Sequence, residues 1–157
     1  MLGVKRKKAL VLYHTRTGHT ADAAKAVARG LESRRVRTKV KRINEVNPDE
    51  LAEYSILAVG SPTRGARPAR AVKRFLKGLE RKALKGKTAA SFSPYAGFRG
   101  KATVRRLGRL LRKRKAKVLR GVAVKAGAPL SLWEGPDIGE KGVLRLEERG
   151  RKVGRKG

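Results

Sequence analysis

The chain has 157 residues, 42 of them Lys or Arg and 12 Asp or Glu, for a formal net charge of +30. That length suits one domain with a real core, and 39% hydrophobic content is globular. The absence of cysteine excludes disulfides, Cys-ligated zinc, iron–sulfur clusters and thiol catalysis; two histidines, His14 and His19, are too few for a multi-histidine metal site; and no apolar run approaches the roughly 18 residues of a membrane span.

Lys8–Tyr13 is a short continuous apolar run, the pattern of a central strand buried on both faces. Ala24, Val27, Ala28 and Leu31 form the apolar stripe of an amphipathic helix, with Asp22 near its start and Arg34–Arg35 near its end. Val36–Ile43 alternates, as an edge strand with one wet face does. Asn47-Pro48-Asp49-Glu50 reads as a helix start, with Asn as the cap and Pro at the first helical position. Ser55–Gly60 is a second buried strand.

Pro68 opens a helix carrying Val72, Phe75, Leu76 and Leu79 on one face. Lys87–Phe92 is a third core strand, Gly100 to Lys115 a helix facing inward through Val104, Leu107, Leu110 and Leu111, and Val118–Val124 a further strand. Asp137–Val153 is a weaker last helix, interrupted by Gly139 and Gly142. Alternating strands and helices imply an α/β domain, its parallel sheet covered on both faces, over residues 1–157, with a basic lead (1–7) and a frayed basic tail (154–157). The apolar run after Lys5 to Lys8 is too short for a signal peptide, so a cytoplasmic protein without membrane contact is expected. A chain with no glutamine, two asparagines and one methionine fits either a thermophile or an Arg-, Gly- and Ala-rich genome.

Ligands of open parallel sheets bind beyond the carboxyl ends of the strands, where strand order reverses. The loops after Tyr13, Gly60 and Phe92 are therefore the candidates. The first, Thr15-Arg16-Thr17-Gly18-His19-Thr20, joins a strand directly to a helix, and its hydroxyls, glycine and free N–H groups suit either an anion, naturally phosphate, or plain helix capping. It is neither a dinucleotide fingerprint nor a Walker loop. The second is Gly60-Ser61-Pro62-Thr63-Arg64-Gly65, and the third Ser91-Phe92-Ser93-Pro94-Tyr95-Ala96-Gly97-Phe98-Arg99-Gly100.

These three loops, T-x-T-G-x-T, then G-S-P-T, then an aromatic-glycine loop, resemble those of the flavodoxin family, and most closely the flavodoxin domain of A-type flavoproteins. The stretch Asn47–Leu57 and the closing Glu147–Val153 resemble the same family. The resemblance implies a flavodoxin-like three-layer sandwich, a five-stranded parallel sheet in order 2-1-3-4-5, and bound FMN. It implies that Thr15, Arg16, Thr17, Gly18, His19 and Thr20 cradle the phosphate. Ser61, Pro62, Thr63, Arg64 and Gly65 would flank one side of the flavin ring. Ser93, Tyr95, Ala96, Gly97, Phe98 and Gly100 would flank the other, with Tyr95 or Phe98 as the stacking aromatic.

Other features have plainer readings. His14 is structural, Trp133 anchors the last helix, and Glu45, Asp49, Glu50 and Glu53 form an acidic surface patch. No nucleophile–base–orienter set exists, so side-chain catalysis has no support. Between Arg99 and Arg120 the chain holds eleven Lys or Arg and no acid. The expected function is electron transfer through FMN to an acidic redox partner, with non-specific nucleic-acid association through Arg99–Arg120. The alternatives are an NAD(P)H-dependent FMN or quinone reductase on the same fold, and a flavin-free scaffold for nucleic acid or an acidic protein.

Overall fold

The computed structural model describes residues 6–15, 18–64, 66–95, 99–126 and 138–157, Arg64 through its backbone alone. Strand β1 (Lys8–Tyr13) is followed by α1 (His19–Glu32), β2 (Arg37–Arg42), a 3-10 helix over Pro48–Glu53, and β3 (Ile56–Gly60). A short hairpin, β4 (Thr63–Arg64) and β5 (Arg67–Pro68), precedes α2 (Arg70–Gly78). Then come β6 (Thr88–Tyr95), α3 (Gly100–Lys113), β7 (Lys117–Val118), β8 (Val122–Lys125) and α4 (Glu140–Lys156).

The main sheet runs β2-β1-β3-β6, with β7 and β8 both on the far side of β6, and all its pairings are parallel. This is the expected order 2-1-3-4-5 with its fifth strand divided. Opposite Ala89 stands Val118, and opposite Phe92 stands Val122, so four steps on the outer strand face three on β6. The extra residue is a bulge, the usual device for bending an edge. It falls within Leu119-Arg120-Gly121, and a Cβ on Gly121 would meet the Ser91 hydroxyl at 2.6 Å.

Both faces of the sheet are covered. Ala9, Val11, Ile56, Ala58 and Phe92 pack under α1 and α4, while Leu10, Leu12, Leu57, Val59 and Ala89 pack under α2 and α3. Burial on both sides is why β1 and β3 are apolar without alternation. Glycines set the closeness of α1 and α4: a Cβ on Gly150 would lie 2.2 Å from the Val27 carbonyl oxygen, and one on Gly30 would meet the Glu147 carbonyl oxygen.

Several expected boundaries move. Helix α2 starts at Arg70, because Pro68 pairs with Thr63 in the hairpin. The segment after Asn47 is a 3-10 helix, although the Asn47 cap and leading proline are present as expected, and Glu50 completes a capping box. Strand β6 extends to Tyr95, since β8 pairs with Ser93, Pro94 and Tyr95. Pro94 is tolerated there because Tyr95 turns its carbonyl to the β8 side, receiving the Ala126 N–H, so Pro94 faces the side where β3 has already ended. Helix α4 continues to Lys156 with Gly154 buried, so the residues read as a frayed tail form its last turn. Its expected start at Asp137 lies outside the described residues, as does Trp133. No helix among the described residues is long and apolar enough to cross a membrane.

Candidate functional site

Tyr13 pairs with Gly60, and Gly60 with Phe92, so β1 and β3 end level with Phe92, while β6 runs three residues further to Tyr95. The register persists past the strands: the His14 N–H donates to the Gly60 carbonyl at 3.2 Å, and the Ser61 N–H to the Phe92 carbonyl at 3.2 Å. Three loops far apart in sequence thus rise side by side.

In the first loop, Gly18 adopts φ 91°, in the left-handed region, and caps α1. Its N–H donates to the Thr15 hydroxyl at 2.9 Å, and its carbonyl receives the Asp22 N–H at 3.0 Å. Among the described residues no side chain caps α1. The first N–H groups of a helix have no intrahelical partner, and there the macrodipole favours negative charge. Among the described residues beyond its chain neighbours, no heavy atom lies within 4 Å of where a Cβ on Gly18 would stand. His19 is half-buried, and Thr20, in the first turn, is only 2% exposed. Arg16 and Thr17 lie outside the described residues.

The second loop is the β4–β5 hairpin. Ser61 is wholly buried; its hydroxyl receives the Ala69 N–H at 2.8 Å and donates to the Pro62 carbonyl at 2.8 Å. Ser61 therefore ties the foot of the hairpin to the start of α2. Thr63 reaches across to the third loop, its hydroxyl 2.8 Å from that of Ser93. Pro62 is half-buried at the rim. Gly65 lies outside the described residues.

In the third loop, the Tyr95 ring lies against Gly100, where a Cβ would stand 2.3 Å from its Cδ1. Gly100 therefore admits the ring at the first turn of α3. Arg99, exposed and at φ 67°, caps that helix without a side-chain hydrogen bond. Ala96, Gly97 and Phe98 lie outside the described residues. Of the two candidate aromatics, Tyr95 already has one contact surface on Gly100.

These residues fit a flavin mononucleotide in kind. The uncapped α1 N-terminus and the open space at Gly18 suit a phosphate, and two loops joined by a hydroxyl pair suit the flanks of a flat ring. Sequence reasoning missed the Thr63–Ser93 contact and the hairpin, because a two-residue strand carries no periodicity. Gly60-Ser61-Pro62-Thr63 ending a strand was the available signal. The acidic patch is partly neutralised: Glu50 accepts from Lys41 Nζ at 3.1 Å, which holds its carboxyl below the usual range, helped by the Asn47 N–H. Among the described residues no group of His, Asp and Glu is placed to hold a metal ion.

Comparison with known proteins agrees with this geometry. An NAD(P)H dehydrogenase (quinone) from Azorhizobium caulinodans is 35% identical over 117 residues, covering 59% of this chain and 59% of its own length. A flavodoxin from Aquifex aeolicus is 34% identical over 97 residues, covering 59% of this chain and 52% of its own. The chain thus spans little more than half the length of these curated relatives. A solved flavodoxin from the domain Archaea shares the fold, with a TM-score of 0.77 at 24% identity over 95% of this chain and 97% of its own. The sequence profile of the flavodoxin family matches residues 11–134, across all three candidate loops, and the chain belongs to that family.

Proposed function

We propose that this protein carries electrons through non-covalently bound FMN, the cofactor of the flavodoxin family. The observation that supports this most is the register that sets the ends of β1 and β3, Tyr13 and Gly60, level with Phe92 of β6, which brings the N-terminus of α1 beside two bridged loops. FMN supplies the redox chemistry when bound; the protein binds it, orients it and sets its electrostatics. Thr15, Arg16, Thr17, Gly18, His19 and Thr20 are assigned to the phosphate. Ser61 to Gly65 and Ser93 to Gly100 are assigned to the two sides of the ring, with Thr63 and Ser93 holding the loops in step. A chain of net charge +30 favours an acidic redox partner. It also favours nucleic-acid contact through the basic stretch Arg99–Arg120.

The test is a visible spectrum after purification at high salt, followed by FMN titration of the apo-protein. Thr17→Ala with Thr20→Ala is expected to weaken FMN, because each lost hydrogen bond to a charged group is worth roughly 1.5–3 kcal/mol. Riboflavin, which lacks the phosphate, is expected to bind far more weakly than FMN and to respond little to the double substitution. A colourless protein that cannot be reconstituted with FMN overturns the reading.

A second reading, an NAD(P)H-dependent quinone reductase, draws on the Azorhizobium relative's name. Reduced nicotinamide bleaches the flavin without a partner protein if that reading holds, and leaves it yellow if the protein is a carrier.

A further inference from the structure

A groove of about 730 Å³ runs along the outer edge of the sheet, between α3 and α4. Its floor includes Val118, Gly121 and Val122 of the divided outer strand. One wall presents Lys101, Arg105, Arg109 and Arg112 from α3, and the other Arg145, Arg149 and Lys152 from α4, with Arg120 between them. The intervals of four, four and three on α3, and of four and three on α4, keep each set on one helical face. With a rise of about 1.5 Å per residue, neighbouring cations in each row stand about 4.5–6 Å apart along the axis.

Against these eight cations the described part of the lining holds one carboxylate, Glu148, and Arg151 outside the groove already pairs with it at 3.0 Å. Arg145 commits one N–H to the Ala123 carbonyl at 3.1 Å. Arg149 Nε is buried and has no hydrogen-bond partner among the described residues. Burial first, then Arg120 and Arg145, push that guanidinium below the usual arginine value. Like charges have been gathered round a concavity, and the groove's own lining does little to neutralise them. Such a site calls for an external anion with several regularly spaced charges.

The lining also narrows the class of anion. Among the described residues it contains no aromatic side chain on which bases could stack. Charged residues are depleted at the centres of protein–protein interfaces, whereas nucleic-acid interfaces are strongly positive. The cations line the two walls of a groove between helices, the form in which a positively charged channel tracks the backbone of a single strand. We propose that this groove holds the sugar–phosphate backbone of a single-stranded nucleic acid by charge alone, without reading its sequence. The inference is independent of the flavin assignment, because the groove lies on the sheet edge and not among the three loops.

The test uses the full chain, purified with FMN, and a fluorescein-labelled oligo-deoxythymidine, titrated over a salt series. Arg105→Gln, Arg109→Gln, Arg145→Gln and Lys152→Gln combined form the groove variant. Lys77→Gln, Arg81→Gln, Lys82→Gln and Lys85→Gln combined form a control of equal net charge. The groove variant is expected to bind at least about tenfold more weakly, with a log–log salt slope shallower by about 0.7 for each phosphate that it no longer neutralises. The control is expected to change affinity by less than about threefold. Equal losses in the two variants reduce the effect to net charge and overturn the proposal. So does a matching duplex, or a polyglutamate of equal charge, that binds the wild-type chain as tightly as the oligonucleotide. Should the groove variant not fold, amide exchange of the wild-type chain decides: protection by oligo-deoxythymidine must fall on α3, Arg120 and α4, and protection elsewhere overturns the proposal.

Discussion

The hydroxyls of Thr63 and Ser93 lie 2.8 Å apart and join the β4–β5 hairpin to the end of β6. They are thirty residues apart in sequence, and they are the one side-chain hydrogen bond between these two loops among the described residues. Removing either hydroxyl should uncouple loops that flank the same ligand. A typical hydrogen bond nets about 0.5–1.5 kcal/mol, and Thr63, half-buried, can turn to water when Ser93 is lost. Thr63→Val and Ser93→Ala should therefore each weaken FMN binding by roughly threefold to tenfold. The double variant should lose little more than either single one, as a shared interaction requires. Additive losses in a fluorescence titration would mean that the two hydroxyls act separately.

Gly60 and Phe92 are register partners, and the Phe92 ring occupies the space over Gly60. A Cβ there would stand 2.2 Å from the ring, which is 1% exposed and has little room to move. Overpacking of this kind costs about 1–3 kcal/mol. Gly60→Ala should lower the thermal midpoint by several degrees, and adding Phe92→Leu should recover part of the loss by freeing volume. A Gly60→Ala protein as stable as the parent would show that the ring can turn aside.

Gly150 faces backbone rather than a ring: its Cβ would lie 2.2 Å from the Val27 carbonyl oxygen and 3.0 Å from Gly30 Cα. No rotamer relieves that contact, so α1 and α4 must separate. Gly150→Ala should destabilise more than Gly60→Ala, with no side-chain substitution able to rescue it. Gly108 makes the contrast. Its Cβ would meet Val118 Cγ1 at an ordinary 3.6 Å, inside α3. Gly108→Ala should gain roughly 0.5–1 kcal/mol from helix propensity alone. Chemical denaturation of both variants checks the pair; equal stabilities, or the reverse order, would refute the packing argument.

The same glycines mark how far the sequence could be read. Continuous apolar runs identified β1 and β3, because burial on both faces leaves no alternation to confuse them with anything else. The order of the sheet followed from the family resemblance carried by the three loops. The last helix looked weak because Gly139 and Gly142 interrupt it, yet two further glycines, Gly150 and Gly154, are where α4 meets α1 and the Arg34–Val36 turn. Propensity is local, whereas the reason for those residues is a partner more than a hundred positions away. The division of the fifth strand was hidden for a related reason. A bulge shows only when the register against β6 is known, and Leu119-Arg120-Gly121 alone suits a continuous strand. Likewise the sequence showed the cations of α3 as one run, and only the fold sets α4 opposite them.

Glu50 ties the 3-10 helix to β2. Its carboxylate accepts from Lys41 Nζ and from the Asn47 N–H, and both lower its pKa. A carboxyl whose folded pKa lies below its unfolded value adds stability that is present above the unfolded pKa. That stability is lost as pH falls through the folded one. Glu50→Gln keeps an acceptor for the cap but removes the charge. The thermal midpoint of the variant should therefore fall less steeply than that of the parent between about pH 5 and pH 3. Because the pair is exposed, raised salt should shrink the difference. Parallel pH profiles would leave the pair without thermodynamic weight.

Gly18 separates the contribution of the phosphate from that of the ring. At φ 91° any L side chain is strained, although the space around its Cβ is open. Gly18→Ala therefore costs conformational energy without a clash, on the order of 1–2 kcal/mol. The chain can relieve the strain by abandoning the left-handed conformation, which turns the Gly18 N–H away from the Thr15 hydroxyl and reshapes the start of α1. The apo-protein should lose only a few degrees of thermal stability. FMN affinity should fall by about tenfold or more, the equivalent of about 1.4 kcal/mol. Riboflavin affinity should change by less than about twofold, since its contacts would be with the ring-flanking loops alone. Parallel titrations of the two ligands against parent and variant provide the measurement. Equal losses for FMN and riboflavin would place the phosphate away from the N-terminus of α1.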